Sequence, residues 1–333
     1  MRHSACTSVC WKAGRPEFAR MPSAHPITED VSSITLEGRT VRLTRLSKLL
    51  YPEARFAKAH VIDYYLRVAP FLLPHFRNRP VTLKRFPDGV DGKSYYDKNA
   101  PSFTPKWVKT FPVPRRTGGP DIQYILINDR ATLAWTANIA ALELHPFLHR
   151  APKIGTPTCI VFDLDPGPGA DLLTCIEIAQ MLRDHFAHQR LQCFPKVSGS
   201  KGLQLYVPLN TPTNYAATQA FARGTAQIIE REHPKLATSV MAKSQRSGKV
   251  FIDWSQNSDF KTTVGVYSLR AKRERPFVSM PVTWEELESA QRRRRINGLY
   301  FEPQAALERL ERVGDLFAPV LSLKQKLPKI SSQ

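Results

Sequence analysis

The chain has no long apolar run. None of its apolar stretches approaches the ~18 residues of a membrane-spanning helix, and the N-terminus lacks the apolar centre of a secretory signal. Residues 1–30 contain arginine and serine with few acids, which can imitate a transit peptide, while Met21 leaves an extended or misassigned start equally open. We therefore expect a protein without a membrane partner.

Cysteines with metal-binding or disulfide spacing are also missing. The chain has five cysteines, an odd number, and no CxxC pair. Cys6 and Cys10 lie near His3, but a fourth ligand is absent, so we do not predict a metal cluster there. The other three lie in apolar sequence, where a reduced thiol packs as a small hydrophobe. This usage indicates a reducing compartment.

Acidic residues are scarce relative to basic ones. Lysine and arginine total 48 against 29 aspartates and glutamates, which gives a formal net charge of +19. The basic residues are spread along the chain as well as clustered in the run RRRR at 292–295, so they do not belong to one disordered arm. This excess favours a nucleic-acid partner over an inert basic surface, which is the alternative.

Hydrophobic periodicity alternates between strand and helix along the chain, which predicts an α/β or α+β fold with a mixed sheet. The predicted strands are a pair over 34–44, single strands over 79–87, 159–165 and 249–257, and a hairpin over 193–209. The predicted helices cover 60–76, kinked or divided by Pro70 and Pro74, then 131–148, 171–186 and 215–232, with two more in WEELESAQRRRR and ALERLERV. Residues 88–119 are predicted to be loops and short strands.

Two aspartates stand at the end of the apolar strand CIVFDLD, directly before the turn PGPG. Side chains alternate along a strand, so Asp163 and Asp165 project from the same face, about 7 Å apart. Two ionised carboxylates this close repel unless a cation lies between them or one is protonated. Oxygen ligands suit Mg²⁺ or Mn²⁺. The alternative is that the pair caps the turn and the following helix.

A third aspartate interrupts another apolar strand. Asp253, in VFIDW, shares a strand face with Phe251 and Ser255. If this strand lies beside CIVFDLD, three carboxylates meet at one place, which is the arrangement that holds two metals ~3.5–4 Å apart for phosphoryl transfer. The alternative is a buried aspartate paired with a local arginine or lysine.

The segment VSGSKGLQ, residues 197–204, has the composition of a phosphate-binding loop. Gly199 and Gly202 allow the backbone to approach a ligand, Ser198 and Ser200 offer hydroxyl groups, and Lys201 supplies a positive charge. The Walker A pattern GxxxxGK[ST] is absent. A glycine hairpin without a ligand is the alternative.

Several longer motifs follow one another in a fixed order. They read RPVTLKRFPDGVDG, YYDKNAP, LELHPFL, FDLDPGPG, SGSKGLQLYVPL, VFIDWSQN and TTVGVYSLRAKRERPFVSMPVTWEEL. In order and wording they resemble the primase-like polymerase domain of bacterial ligase D, in the archaeo-eukaryotic primase superfamily. The similarity runs from about residue 41 to residue 287, nearly the whole folded part.

The resemblance implies an α+β, primase-like fold with mixed central sheets flanked by helices. It implies a polymerase domain over 34–322, between a disordered or extended tail over 1–33 and a polar tail over 323–333. The implied activity is nucleotidyl transfer from triphosphates to a DNA primer with two divalent ions, Mn²⁺ usually preferred over Mg²⁺, and ribonucleotides favoured over deoxyribonucleotides. The implied compartment is the bacterial cytoplasm, at the nucleoid.

The resemblance also assigns residues by position. The metal-binding and catalytic carboxylates would be Asp163, Asp165 and Asp253, with Asp253 also helping to deprotonate the primer 3′-hydroxyl. The nucleotide-binding residues would be Lys84, His145, Ser198, Ser200, Lys201, Gln204, Arg246 and Arg270. Lys48 and Lys58 would receive a downstream 5′-phosphate through charge-assisted hydrogen bonds. Tyr95 and Tyr96 would stack on the template, a contact worth ~1–3 kcal/mol per base.

One position departs from the family pattern SGxKGxH, because this chain has Gln204 where the family has histidine. Glutamine donates a hydrogen bond but carries no charge and moves no proton. We interpret it as the mark of a stand-alone subtype. A ligase KxDG nucleophile is not predicted, since the spacing in KRFPDG is too long.

The sequence shows no ligase or phosphoesterase region, so the resemblance implies Ku and an ATP-dependent DNA ligase as partners in trans, in end joining or short-gap excision repair. Two alternatives remain open. One is a catalytically weak module that binds DNA ends or gaps through a 5′-phosphate. The other is a different metal-dependent phosphoryl-transfer enzyme such as a nuclease.

Overall fold

The computed structural model describes residues 31–272 and 274–328. The expectations for His3, Cys6, Cys10 and Met21, most of the predicted N-terminal tail and residues 329–333 of the predicted C-terminal tail lie outside these residues. The first strand begins at Val31, and the last helix ends at Ser322.

Strands account for much of the described chain. The strands are β1 Val31–Leu36, β2 Arg39–Thr44, β3 Leu49–Tyr51, β4 Phe56–Ala57, β5 Pro80–Arg85, β6 Tyr95–Asp97, β7 Thr110–Val113, β8 Ile122–Leu126, β9 Ala141–Pro146, β10 His149–Arg150, β11 Lys153–Pro157, β12 Cys159–Pro166, β13 Phe194–Val197, β14 Leu203–Pro208, β15 Ala237–Thr238, β16 Val250–Asp253, β17 Leu269–Arg270, β18 Phe277–Val278 and β19 Met280–Pro281.

The helices are fewer and longer. The α-helices are α1 Lys58–Phe76, α2 Arg130–Asn138, α3 Leu172–His188, α4 Tyr215–Glu232, α5 Trp284–Arg293, α6 Pro303–Val313 and α7 Pro319–Ser322, and 3₁₀ turns cover Lys243–Gln245, Trp254–Gln256 and Asn297–Leu299.

Two large sheets form the frame. The first has six strands in the order β15-β16-β12-β14-β13-β19. The second joins β6, β5, β8 and β7, with β9 paired to β5. Among the described residues only β15 and β16 pair in parallel. Antiparallel sheets with helices packed on them give an α+β fold, which decides between the two predicted classes.

Apolar side chains at regular spacing hold the helices against the sheets. In α1, Val61, Tyr65, Val68, Leu72 and Phe76 are buried at intervals of three or four residues. This buried stripe continues through both internal prolines, and α1 remains one helix rather than two. The helix has therefore not been divided as one reading of the sequence allowed.

One predicted element is wrong in its second half. Helix α2 ends at Asn138, and Ala141–Pro146 forms β9 instead of continuing the helix predicted over 131–148. The chain reverses at Ala140, whose φ is +59°, a conformation that no glycine signals in the sequence. Pairing with β5 then outweighs the helical propensity of Ala-Leu-Glu-Leu. The strand predicted over 249–257 is also too long, because β16 ends at Asp253 and a 3₁₀ turn follows over Trp254–Gln256, so Ser255 does not share a strand face with Asp253. The other predicted helices and strands are present, with smaller differences at their ends.

Candidate active site

A cleft of about 720 Å³ opens between the two large sheets. Strands β6 and β9 contribute side chains from the five-stranded sheet, and β12 and β14 contribute them from the six-stranded sheet. The predicted residues that line it are Tyr96, His145, Asp163, Asp165, Ser198, Ser200, Lys201, Gln204, Arg246 and Arg270. Most of the residues that the sequence assigned to the nucleotide therefore lie around one space.

The three aspartates meet through strand register. In the antiparallel pairing of β12 with β16, Asp163 lies directly opposite Asp253, and on the other side of β12 it lies opposite Gln204. Asp165 follows two residues later on the same face. Strand β16 thus lies beside β12, which was the condition for the three aspartates to meet.

Burial and repulsion between neighbouring carboxylates raise the pKa values of the two aspartates on β12. Burial, together with the charges of Asp165 and Asp253, raises the pKa of Asp163 to about 7. A hydrogen bond from Gln204 and the charge of Lys196 act in the opposite direction. Burial and the charge of Asp253 also raise the pKa of Asp165. A divalent cation would remove the conflict, because it stabilises the ionised carboxylates.

The Asp253 carboxylate is held by its own turn. Its Oδ1 accepts hydrogen bonds from the backbone N–H of Ser255 (3.0 Å) and from the Ser255 hydroxyl, and its Oδ2 accepts one from Gln256 Nε2 (2.8 Å). No group of three His, Cys, Asp or Glu side chains in the described ranges is already close enough to form a metal site. The oxygen donors fit Mg²⁺ or Mn²⁺ in kind and number, but the Asp253 carboxylate would have to exchange hydrogen bonds for metal coordination.

The loop over 198–202 is pressed against its neighbours. A Cβ on Gly202 would lie 2.2 Å from the carbonyl oxygen of Leu164, and one on Gly199 would lie 2.7 Å from that of Val278. The N–H groups of Ser200 and Gly202 point to the Ser198 hydroxyl, at 3.2 and 3.3 Å. The two glycines therefore allow close packing of the protein's own backbone, and the cleft receives the side chains of Ser200 and Lys201.

Two arginines and a lysine border the aspartates. Arg246 stacks its guanidinium 3.7 Å from the centre of the Phe251 ring and donates to the Met241 carbonyl. Arg270 is buried, and its Nε has no hydrogen-bond partner within the described structure. Lys272 also lines the cleft. The charges of all three lower the pKa of Asp165, against the larger effect of its burial.

A buried glutamate that the sequence analysis missed organises the other wall. Glu143 is completely buried on β9 and accepts hydrogen bonds from His145 Nε2 (2.9 Å) and the Ala271 N–H (3.0 Å). Lys84 Nζ and Arg270 Nε each lie 3.8 Å from its Oε1. Three of the predicted nucleotide-binding residues therefore surround one carboxylate.

The ionisation of this wall follows from those contacts. Burial on its own would raise the pKa of Glu143, but the hydrogen bond from His145 and the charges of Arg270 and Lys84 outweigh it and hold that pKa well below its ordinary value. Burial lowers the pKa of His145, and the charges of Arg270 and Lys84 lower it further, while Glu143 opposes this. Near neutral pH the wall thus contains an ionised glutamate and a neutral histidine.

A second missed residue lies under Gln204. Lys196, on β13, is completely buried and donates from Nζ to Gln204 Oε1 (2.7 Å), to the Ser279 hydroxyl and to the Val264 carbonyl (3.4 Å). Gln204 Nε2 in turn donates to Thr263 Oγ1 (2.9 Å). Burial lowers the pKa of Lys196 to about 7, an effect that Arg270 increases and Asp163 opposes.

The two tyrosines point to different faces of β6. In the pairing with β5, Tyr96 lies opposite Lys84 and Tyr95 lies opposite Arg85. Tyr96 lines the cleft, with its ring 5.1 Å from Lys84 Nζ, whereas Tyr95 lies on the other face. Both rings are exposed, at 41% for Tyr95 and 59% for Tyr96, so neither belongs to the core.

Lys48 and Lys58 lie outside the cleft lining but next to each other. The Lys58 N–H donates to the Lys48 carbonyl across the β3–β4 hairpin. Lys48 Nζ forms an ion pair with Asp88 (3.0 Å), and Lys58 Nζ donates to the Thr44 carbonyl (2.8 Å). The structure therefore brings the two predicted phosphate-binding lysines together at a separate place.

Comparison with known proteins identifies the chain. The family described as "LigD, primase-polymerase domain" matches residues 57–317. The chain belongs to this family. Its α+β fold and the resemblance stated from the motifs are confirmed, and so is the enzyme class, because the LigD primase-polymerase domain is a nucleotidyltransferase. Nucleotidyl transfer by such domains generally requires divalent metals.

Relatives of the LigD primase-polymerase domain are found in several bacteria. The chain is 43% identical over 282 residues to the multifunctional non-homologous end joining protein LigD of Mycolicibacterium smegmatis, which is 84% of this chain and 36% of that protein. It is 32% identical over 252 residues to the bifunctional LigD of Bacillus subtilis, which is 75% of this chain and 40% of that protein. The chain thus spans little more than a third of these relatives.

A solved LigD polymerase domain has the same architecture. The polymerase domain from Mycobacterium tuberculosis ligase D, in complex with DNA, matches with a TM-score of 0.79 and 39% identity, covering 86% of this chain and 99% of that one.

Across the described part of this chain, no helix has the length and apolar character needed to cross a bilayer.

Proposed function

We propose that the chain is a DNA-repair primase-polymerase that fills short gaps or extends DNA ends. It transfers nucleotides from ribonucleoside or deoxyribonucleoside triphosphates to a primer 3′-hydroxyl. The observation that carries this proposal is the register that sets Asp163 opposite Asp253, with Asp165 on the same face as Asp163. Asp163 and Asp165 line a cleft that also contains several lysine and arginine side chains.

The layout of charge supports a triphosphate rather than a neutral substrate. The cleft surface bears Lys201, Arg246, Arg270 and Lys272 close to the aspartate pair on β12. A polyphosphate carries several negative charges and needs such donors, and divalent ions held by the carboxylates would neutralise further charge. A nuclease would need the carboxylates but has less use for this number of cations around them.

Each wall of the cleft has a proposed role. Asp163, Asp165 and Asp253 would hold two ions, Mn²⁺ or Mg²⁺, which stabilise the charge on the attacking and leaving oxygens when bound. Asp253 would also take the proton of the primer hydroxyl. The triphosphate would lie against Ser198, Ser200, Lys201, Gln204, Arg246 and Arg270, and the nucleoside against Lys84 and His145.

The DNA would be recognised outside the cleft. Lys48 and Lys58, whose backbones are hydrogen-bonded, would receive a downstream 5′-phosphate once their ammonium groups leave Asp88 and the Thr44 carbonyl, so gapped DNA would bind better than an open primer. Tyr96 would stack near the template at the cleft, with Tyr95 on the other face of β6. Ku and an ATP-dependent ligase would act in trans, on DNA in the nucleoid, in end joining or short-gap excision repair.

The experiment is primer extension on a DNA gap of one to a few nucleotides that carries a downstream 5′-phosphate. Reactions contain Mn²⁺ or Mg²⁺ and either ribo- or deoxyribonucleotides. Asp163→Asn tests the candidate metal site, and Asp121→Asn, an exposed aspartate outside the cleft, is the matched charge control. We expect extension by the wild type and the control, and loss of extension in Asp163→Asn.

Three results would contradict the proposal. Gap binding by the wild type without extension under any metal would favour the DNA-end-binding alternative, to which the engaged Asp253 carboxylate gives some support. Metal-dependent cleavage of the primer without nucleotide addition would favour a nuclease. Equal extension by Asp163→Asn and the wild type would remove the aspartates from the mechanism.

A further inference from the structure

A buried lysine lies beneath the candidate metal site without a carboxylate in contact. Lys196 has no exposed surface and forms no ion pair in the part of the chain that the structure describes. Its hydrogen bonds go to Gln204, Ser279 and the carbonyl of Val264. Burying an ammonium group away from a counter-charge is costly, so such a group is expected to have a role beyond packing.

The contact with Gln204 fixes the direction of its carboxamide. An amide group has one end that accepts hydrogen bonds and one that donates them, and the two ends have nearly the same shape. When protonated, Lys196 only donates, and the end of Gln204 that faces it is the oxygen, at 2.7 Å. The N–H end then necessarily faces away from Lys196.

The N–H end faces the cleft. Gln204 Nε2 donates to Thr263 Oγ1 at 2.9 Å, and both residues line the cleft. Gln204 lies opposite Asp163 in the pairing of β14 with β12, and its side chain lowers the pKa of that carboxyl group. A reversed amide would turn its oxygen toward this carboxylate and toward the triphosphate, and oxygen would repel both.

We propose that Lys196 is a positioning residue that acts through Gln204: it holds the carboxamide with its N–H donors toward Asp163 and the bound nucleotide. This inference rests on the proposed function, because it assigns a nucleotide and a metal-binding aspartate to the cleft. It applies to a position that the sequence analysis did not single out.

The test begins with Lys196→Met, which keeps an unbranched side chain but removes the donors. With gapped DNA and Mn²⁺, we expect the KM for the nucleotide to rise about tenfold, the order of one hydrogen bond to a charged group. Lys196→Gln retains a donor and should restore part of the affinity. Val207→Ala, in the buried core of the same β14 strand, is the control for lost stability, and its KM should not change.

Two further measurements separate positioning from packing. In a double-mutant cycle with Gln204→Met, the double variant should have the same KM as Gln204→Met alone, because Lys196 acts only through that side chain. In the metal-free protein without nucleotide, the side-chain amide ¹⁵N resonances of Gln204 should shift in Lys196→Met and stay in place in Val207→Ala.

The outcomes are distinct. Additive effects in the cycle, an unchanged KM in a folded Lys196→Met, or unmoved Gln204 resonances would each overturn the positioning role. If Lys196→Met does not fold, Lys196→Gln and Gln204→Met complete the cycle with the same criterion. A wild-type protein that neither binds nor transfers nucleotides refutes the proposed function instead, and the resonance measurement still reports on Lys196.

Discussion

Replacing Glu143 by glutamine tests whether one buried carboxylate organises the basic wall of the cleft. Glutamine keeps the volume and an acceptor for the Ala271 N–H, but removes the charge that faces Lys84, His145 and Arg270 at 2.9 to 3.8 Å. Breaking a buried ion pair costs about 3–5 kcal/mol, and a hydrogen bond to a charged group contributes about 1.5–3 kcal/mol. Because glutamine retains part of these contacts, we expect a loss of about 2 kcal/mol, or a fall in Tm of roughly 3 °C.

The pH dependence sharpens the test. The pKa of Glu143 is depressed by folding, so its contribution to stability is present above its ordinary value of 4.5 and is lost as the pH falls below it. The pKa of His145 is lowered from 6.5, so protonation in the unfolded state also lowers stability as the pH falls through that value. Thermal denaturation from pH 8 to 4 should therefore show a flatter decline below pH 5 in Glu143→Gln.

The nucleotide KM should rise in the same variant, since Lys84 and Arg270 lose their common partner. Glu177→Gln, a glutamate on the surface helix α3 outside the cleft, is the control and should match the wild type. If Glu143→Gln has the Tm, the acid slope and the KM of the wild type, the carboxylate does not organise this wall and the reasoning fails.

Three further predictions concern other parts of the site. Gly202→Ala should lower the Tm by several degrees, because its Cβ would lie 2.2 Å from a carbonyl oxygen of β12, whereas Gly224→Ala, in open space on α4, should stabilise by about 0.5–1 kcal/mol in chemical denaturation. Tyr96→Ala should weaken extension of gapped DNA more than Tyr95→Ala, because only Tyr96 lines the cleft; equal effects would contradict the facial assignment. Asp163→Asn should raise the Tm of the metal-free protein above pH 7. The pKa of Asp163 is raised to about 7 in the folded state, so its ionisation destabilises the fold increasingly from pH 4 to 7. An unchanged Tm at pH 8 would contradict this.

Local patterns were enough to find the aspartates. The strand period places Asp163 and Asp165 on one face wherever the strand lies, and an aspartate within VFID signals a polar role in a buried strand. Their convergence depends on β16 pairing with β12, and nothing in either segment specifies that neighbour. From the sequence, this pairing could be given only as a condition or inferred from the resemblance to a known family.

The residues that were missed are those whose surroundings come from distant segments. Glu143 lies in a stretch whose composition favours helix, and its partners Lys84 and Arg270 come from β5 and β17. A clue was available, because Leu142 and Leu144 alternate with Glu143 as in a half-buried strand. Lys196 gave no such clue, since a lysine beside a glycine-rich turn ordinarily lies in solvent.

Gly199 and Gly202 show a different limit. Their presence correctly indicated a close approach, but the sequence could not tell whether a ligand or the chain itself approaches. The structure assigns the space to Val278 and to Leu164. Gln256, Thr262, Thr263, Val264 and Lys272 also line the cleft and were not singled out, because each is an ordinary polar or apolar residue in a loop or turn.

The buried carboxylates on the two sides of the cleft differ in how far their negative charge is balanced by neighbouring groups, and this difference is consistent with metal-dependent nucleotide transfer. Glu143 is fully compensated, with hydrogen bonds and cations around it, and its pKa is depressed. Asp163 is only partly compensated, by Gln204 and Lys196, and its pKa is raised by burial and by the charges of Asp165 and Asp253. A fold optimised for stability alone would neutralise both, and carboxylates left in repulsion weaken the native state. Aspartates that repel one another favour the binding of cations between them. Lysine and arginine side chains already held in place by Glu143 are ready to bind a polyanion. A site that binds both metal ions and a triphosphate needs both features. Stability gained on removing the Asp163 charge, together with activity lost, would show that this repulsion is retained for catalysis.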